Sequence, residues 1–190
     1  MKTIFDVGAN DGSSTLGMAV DSVIYAFEPT PELCEKLRKN ETVDYYVIEK
    51  AVSNFNGKAK FYVAGQSDWG CSSLYQFSDG LDKTWPGRED FKVTEEIEVD
   101  VIRLDTFIKE NDIKQIDYLH CDAQGSDIKV LEGLGKYISI VKEGRIEVAK
   151  DKETSLYRAD NTLEKALEIL KDFKTWKTPC FNEYDLYFSR

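Results

Sequence analysis

The sequence has 190 residues, of which 42% are hydrophobic, 12% aromatic and 32% charged, with a formal net charge of −10 at pH 7. This length and composition predict a single domain over residues 1–190 with a sizeable core, and they exclude a disordered protein. The acidic balance argues against nucleic acid, whose phosphates are bound by clustered Lys and Arg, and no apolar run approaches the roughly 20 residues that a membrane-spanning helix needs.

Strand-like and helix-like stretches alternate along most of the chain. In chain order we predict a strand over 3–7, a helix over 13–20, a strand over 22–27, a helix over 31–39, strands over 44–51, 58–64 and 97–104, a helix over 105–110, a strand over 116–121, a helix over 125–137, a strand over 138–148, a helix around 163–170, and strands over 173–180 and 184–189. Ser13 or Ser14 is the expected cap of the first helix, and Asp105 that of the third.

This order of elements predicts an α/β fold with a doubly wound, mostly parallel sheet, because its strands are separated by helices. Residues 57–103 break the alternation with two strands and a polar loop, so we expect a β-rich insertion there. The two aromatic runs at the end of the chain meet at Asn182-Glu183, which is typical of an antiparallel hairpin that closes one edge of the sheet.

The cysteines and the N-terminus indicate a compartment. Cys34, Cys71, Cys121 and Cys180 are scattered singly, without a Cys-x-x-Cys pair. The N-terminal residues contain no apolar signal segment. We therefore expect a reduced, cytoplasmic environment.

The loop after the first strand, DVGANDGS over residues 6–13, is the first sign of chemistry. Doubly wound sheets bind ligands beyond the carboxyl ends of their strands. Gly8 permits a tight turn there, and Gly12 permits a close approach of the backbone to a ligand. The next strand ends at Glu28, where an acid can accept hydrogen bonds from both hydroxyls of a ribose. The loop and this acid predict a pocket for an adenine nucleoside, and Glu28, as a strand-end acid, is expected to contribute little to the core.

The same loop disfavours a dinucleotide. Asn10 stands where the second glycine of Gly-x-Gly-x-x-Gly would let the backbone approach a pyrophosphate, and Asp11 adds a negative charge. S-adenosylmethionine has an ammonium group and no phosphate, so it suits this acidic loop better. Two alternatives stay open: an NAD-dependent oxidoreductase or epimerase, and a catalytically inactive cofactor-binding module that serves an interaction.

Six blocks of sequence carry a resemblance to a known family. They are FDVGANDG (5–12), AFEP (26–29), AVSN (51–54), CSSL (71–74), LDTF (104–107) and DYLHCDAQG (117–125). In this order the blocks resemble the FkbM-type methyltransferases, a branch of the class I S-adenosylmethionine-dependent enzymes. The resemblance implies S-adenosylmethionine as cofactor and methylation of a hydroxyl on a small molecule or a glycan sugar.

The resemblance also implies roles for single residues. The loop after the first strand would surround the methionine part of the cofactor, Glu28 would hold the ribose, and Ala51 would lie near the adenine. The cofactor-binding residues that we predict are Asp6, Gly8, Ala9, Asn10, Gly12, Ser13, Glu28 and Ala51. The chain departs from the family where His120 replaces a common Lys and Gln124 replaces a common Glu.

Methyl transfer to a hydroxyl requires an aligned acceptor oxygen and a group that removes its proton. Asp122, at the carboxyl end of its strand, is the first catalytic candidate. His120 is the only histidine in the chain and shares a strand face with Asp122, although it could instead be a core residue. Glu147, near the end of the following strand, is the third candidate or an exposed strand-end acid. Asp122, Asp127 and Glu147 could assemble an oxygen-rich cation site, but no ligand spacing fixes one, and we predict no metal.

Overall fold

The computed structural model describes residues 1–39, 44–65 and 69–190. In these ranges ten strands form two sheets, and five short helices connect or pack beside them. The strands are β1 (Lys2–Val7), β2 (Ser22–Phe27), β3 (Tyr45–Ile48), β4 (Ala51–Val52), β5 (Gly57–Val63), β6 (Glu95–Ile102), β7 (Ile116–Cys121), β8 (Val141–Ala149), β9 (Lys174–Cys180) and β10 (Glu183–Ser189). The helices are α1 (Pro31–Arg38), α2 (Leu81–Thr84), α3 (Leu104–Glu110), α4 (Asp127–Leu134) and α5 (Leu163–Ile169).

The larger sheet has seven strands in the order β3-β2-β1-β7-β8-β10-β9. Strands β3, β2, β1, β7 and β8 are parallel, and β10 runs antiparallel between β8 and β9. The predicted α/β class, the mostly parallel sheet and the closing hairpin are therefore confirmed. Because the chain first extends the sheet on one side of β1 and then returns to β7 on the other, the point where the strand order reverses lies between β1 and β7.

The strand register brings the ends of three strands to one level. Val7 of β1 pairs with Phe27 of β2 and with Cys121 of β7. The residues that follow these three positions are therefore neighbours at the carboxyl edge of the sheet.

The main core lies between the sheet and helices α3, α4 and α5. Phe5, Phe27 and Phe107 form an aromatic cluster in which the Phe27 and Phe107 rings meet edge to face, with centroids 4.9 Å apart. The apolar face of α4 predicted from periodicity is also buried there. This packing fixes the strand ends that carry the candidate site.

The β-rich insertion is confirmed as a second, three-stranded sheet in the order β4-β6-β5. Its start differs from the prediction, because Ala51–Val52 pair with β6 instead of continuing the strand that precedes them. Lys50 donates its backbone N–H to Ile48 O, and this tight turn separates β3 from β4. Residues 66–68 of the predicted insertion lie outside the described part of the chain.

Three predicted helix boundaries are wrong. The stretch 13–20 forms only a 3₁₀ turn over Leu16–Met18, so neither Ser13 nor Ser14 caps a helix; Thr15 precedes the turn, and its hydroxyl bonds to Asp6 instead of capping. Asp105 does not cap α3; it lies in the first turn and pairs with Arg103, the residue before the helix. The helix predicted over 125–137 ends at Leu134, and a 3₁₀ segment over Gly135–Ile140 leads into β8.

Within the described ranges, no helix combines the length and the apolar character needed to cross a membrane.

Candidate active site

A cleft lies beyond the carboxyl ends of β1, β2 and β7. The space inside it is about 480 Å³, including the solvent at its open mouth. Gly8, Glu28 and Asp122 line it from the three strand ends, and the insertion supplies an opposite wall. The apolar residues of the cleft are Val7, Phe27, Pro29, Ala51, Val52, Phe61, Trp69, Leu74 and Ala123.

Glu28 is almost fully buried, with 4% of its surface exposed. Its Oε2 accepts a hydrogen bond from the backbone N–H of Asn10 at 2.9 Å, and its Oε1 accepts one from Thr30 at 2.8 Å. Burial raises the pKa of Glu28, while the bonds from Thr30 and Asn10 favour the charged form. Each oxygen keeps acceptor capacity for a ligand hydroxyl, so the geometry fits a ribose. Glu28 also ties two loops together, which the sequence did not indicate.

Gly8 brings the end of β1 against the end of β7. Its φ is +78°, and a Cβ at this position would lie 2.0 Å from Asp122 O. The Asp122 N–H donates to Val7 O at 2.9 Å across the same junction. Only glycine therefore allows these two strand ends, and the candidate residues on them, to lie this close.

The eight predicted cofactor residues fall into two groups. Gly8, Asn10, Glu28 and Ala51 line the cleft. The other four are not among the residues that line the cleft; they are Asp6, Ala9, Gly12 and Ser13. Asp6 and Ala9 are buried in the core, a Cβ on Gly12 would meet the side chains of Leu16 and Leu37, and Ser13 is exposed.

His120 lies one layer below the cleft. Its Nδ1 is 2.8 Å from Asp6 Oδ1, and the other oxygen of that fully buried carboxylate accepts a hydrogen bond from Thr15 Oγ1. His120 is 4% exposed and is not one of the residues that line the cleft. This placement favours the core interpretation of His120 over direct contact with an acceptor.

Asp122, Gln124 and Glu147 lie together at the ends of β7 and β8. Gln124 Nε2 donates to Asp122 Oδ1 and lies 3.5 Å from Glu147 Oε2. Burial raises the pKa of Asp122, although nearby His120 favours its charged form. Burial, and next the charge of Asp122, raises the pKa of Glu147 to about 10. At neutral pH Glu147 therefore carries a proton, and Asp122 is the better candidate for a base.

The structure adds residues that the sequence analysis did not select. Tyr157 Oη lies 2.7 Å from Gln124 Oε1 and 2.9 Å from Cys71 O, so it links the insertion to the acids. Ser126, just before α4, lines the cleft and is buried. The replacement of a common Glu by Gln124 was a usable signal, whereas no local pattern marks Tyr157 or Ser126.

The acids do not form a recognisable cation site in the described part of the chain. No group of three or more His, Cys, Asp or Glu side chains there is arranged to hold a metal ion. Asp127 instead faces the backbone N–H groups of Ala123 and Glu147 and the amide of Asn161. Burial, and next the charge of Asp122, raises its pKa to about 7.

Solved structures share the fold of this chain. Fibrillarin from Aeropyrum pernix, crystallised with natively bound S-adenosyl-L-methionine, is 8% identical with a TM-score of 0.53, over 100% of this chain and 66% of that one. WbdD, a bifunctional kinase-methyltransferase, is 10% identical with a TM-score of 0.52, over 98% of this chain and 34% of that one. The chain thus spans less than two thirds of these structures. The fold is that of the class I methyltransferases.

The family is defined by sequence. The model of the FkbM methyltransferase domain matches residues 6–172, and the chain belongs to this family. The resemblance expected from the six sequence blocks is therefore confirmed, and S-adenosylmethionine is the methyl donor of this class. A search of curated proteins found no match.

Proposed function

We propose that this protein is an S-adenosylmethionine-dependent O-methyltransferase that acts on a hydroxyl of a small molecule or of a glycan sugar. The position of Asp122 carries this proposal. It is a half-buried carboxylate at the end of β7 that lines the same cleft as Glu28. The part of the cleft around Glu28 suits a nucleoside, and the part around Asp122 suits an acceptor hydroxyl that must lose a proton.

The residues of the cleft fit the cofactor. Glu28 can accept hydrogen bonds from the ribose, and the apolar surfaces of Val52, Phe61 and Leu74 suit the adenine. When bound, the cofactor supplies a methyl group on a positively charged sulfonium. Asp122 gives this part of the cleft a negative charge that suits the sulfonium.

Asp122 acts on the acceptor. Its carboxylate aligns the hydroxyl and takes the proton, and its raised pKa makes it a stronger base than an ordinary Asp. Gln124 holds the carboxylate through its amide, and the protonated Glu147 beside it does not compete for the proton. His120 is a positioning residue that acts only through its neighbours.

The setting of the reaction follows from the same features. The acceptor is a small molecule or a glycan sugar, whose hydroxyl the open cleft must hold beside the cofactor. Cys34, Cys121 and Cys180 are free thiols, which supports the reduced cytoplasmic compartment that we propose.

The test is a transfer assay with methyl-labelled S-adenosylmethionine and a panel of sugars and other hydroxylated acceptors. Label in an acid- and base-stable methyl ether is the expected result. Label on nitrogen, sulfur or a carboxylate would contradict O-methylation to a hydroxyl. Cofactor binding without turnover on any acceptor would favour the catalytically inactive module instead.

A further inference from the structure

A contact between a cation and an aromatic ring joins two walls of the cleft at its mouth. Lys36 of α1 places its Nζ 5.8 Å from the ring centre of Trp69, which belongs to the insertion. An ammonium within roughly 6 Å of an aromatic face is attracted to it. Trp69 lines the cleft, whereas Lys36 is exposed and is not among the lining residues, so the contact lies where the cleft meets the solvent.

The loop after β1 comes close to the same cation. Hydrogen bonds from Ser13 lower the pKa of Asp11, and the charge of Lys36 lowers it further. Asp11 directly follows Asn10, which lines the cleft. Lys36 is therefore near this loop as well as near the insertion, as expected of a side chain at the rim between them.

The insertion is anchored on the other side of the cleft, at the end of β7. The Ser73 hydroxyl donates to Gln124 O at 2.6 Å, and Tyr157 Oη lies 2.9 Å from Cys71 O and 2.7 Å from Gln124 Oε1. Gln124 follows β7 and lines the cleft beside Asp122. These hydrogen bonds fix the wall of the insertion near the acids and leave the side towards α1 to be held by side-chain contacts.

The side chains at the mouth can move without disturbing that anchor. Lys36 is exposed and Trp69 is half-buried, and exposed side chains change rotamer on the picosecond to nanosecond scale. The contact between them can therefore break and reform while the hydrogen bonds at the end of β7 stay in place.

We propose that Lys36 and Trp69 form a latch across the mouth of the cleft, and that the latch opens each time the cofactor enters or leaves. This inference rests on the proposed cofactor site, because the latch joins walls of the cleft that contains Glu28. Lys36 does not line the cleft, so the latch closes over the free and the occupied cleft alike. It therefore slows entry and exit by the same factor and leaves the affinity unchanged.

Lys36→Met tests the proposal, because methionine removes the charge and keeps an apolar side chain on the helix. We expect the association and dissociation rate constants of S-adenosylhomocysteine, measured by stopped flow, both to rise about 2- to 5-fold, the rate equivalent of about 0.5–1 kcal/mol. The Kd measured by calorimetry should not change. Lys36→Arg keeps the cation and should retain the wild-type rates.

Two controls isolate the latch. Lys39→Met is the matched variant, because Lys39 is also exposed at the end of α1 and is not among the residues that line the cleft, and both rate constants should stay at the wild-type values. In a Trp69→Leu background, Lys36→Met should have no further effect on either rate constant. This comparison separates the latch from the effect of Lys36 on Asp11.

Wild-type rate constants in Lys36→Met would overturn the latch and leave the proposed cofactor site intact. Faster dissociation alone, with a weaker affinity, would assign Lys36 to ligand binding and also overturn it. The same would follow from an equal effect of Lys36→Met with and without Trp69. A wild-type protein that does not bind S-adenosylhomocysteine would overturn the proposed function itself.

Discussion

Glu28→Gln separates the structural role of Glu28, which bonds to two backbone N–H groups, from its proposed role in binding the ribose. Glutamine keeps one acceptor oxygen and replaces the other with a donor, so either Asn10 N–H or Thr30 N–H loses its partner. Leaving one buried donor unsatisfied should lower the free energy of unfolding by about 1–3 kcal/mol. The loss of one charge-assisted bond to the ribose should cost about 1.5–3 kcal/mol of binding, or about 10- to 150-fold in Kd.

Glutamine is the sharper probe because alanine removes both acceptors. Two unsatisfied backbone donors would cost about 2–6 kcal/mol, which approaches the whole stability of many domains. The expectation that a strand-end acid could be removed with little effect on the fold therefore does not suit this buried position.

The assay pairs thermal unfolding without ligand with calorimetric titration of S-adenosylhomocysteine. Glu32→Gln is the matched control, because Glu32 is an exposed acid in the first turn of α1 and should affect neither measurement. A Glu28→Gln protein that loses stability but binds the ligand with wild-type affinity would refute the ribose assignment. It would leave Glu28 with the structural role alone.

Three further changes test the rest of the site. Asp122→Asn should lower turnover by about 10²-fold or more while changing the Kd of the cofactor only slightly, as single-turnover kinetics and titration would show. His120→Leu should lower the unfolding temperature, because the buried Asp6 carboxylate keeps its bond from Thr15 but loses the one to His120, which costs about 1–3 kcal/mol. Burial, and next the charge of Asp122, raises the pKa of Glu183 to about 8, as the same two causes raise that of Glu147 to about 10. Between about pH 5 and its folded-state pKa, each group is protonated in the folded state and ionised in the unfolded state. The free energy of unfolding should therefore fall as pH rises, by about 1.4 kcal/mol per pH unit for each group, up to about pH 8 for Glu183 and about pH 10 for Glu147. Glu183→Gln should be more stable than the wild type at pH 8 and should lose this advantage at pH 4, measured by denaturant unfolding.

Each of these expectations has a contrary result. Full turnover in a folded Asp122→Asn protein would refute the role of Asp122 as the base. Wild-type stability in His120→Leu would mean that Asp6 is satisfied without the histidine. A Glu183→Gln protein whose stability relative to the wild type does not depend on pH would show that Glu183 ionises normally in the fold.

The strands of the main sheet, and the position of Gly8 and Glu28 in the cleft at their ends, were predictable because their signals are local. Short apolar runs bounded by turn residues mark β1, β2 and β7 in the sequence. Parallel pairing then brings the ends of these strands to one level. Gly8 and Glu28 could be selected as candidate residues from the sequence because each directly follows a predicted strand.

The rest depends on contacts between distant parts of the chain. Asp6 and His120 are 114 residues apart, and only the pairing of β1 with β7 joins them. Ala51 leaves the main sheet because β6 offers it a partner, which no local pattern reveals. The Thr15 hydroxyl, just before the 3₁₀ turn that replaces the predicted helix, likewise bonds to Asp6 of β1.

Calorimetric titration of the wild-type protein with S-adenosylhomocysteine and, separately, with NADH tests the central claim most directly. The cleft at β1, β2 and β7 predicts one site per chain for S-adenosylhomocysteine, with a Kd near the micromolar range, or about −8 kcal/mol, and no measurable binding of NADH. Absence of heat and of any thermal shift with S-adenosylhomocysteine at millimolar concentration, or binding of NADH in its place, would contradict the claim.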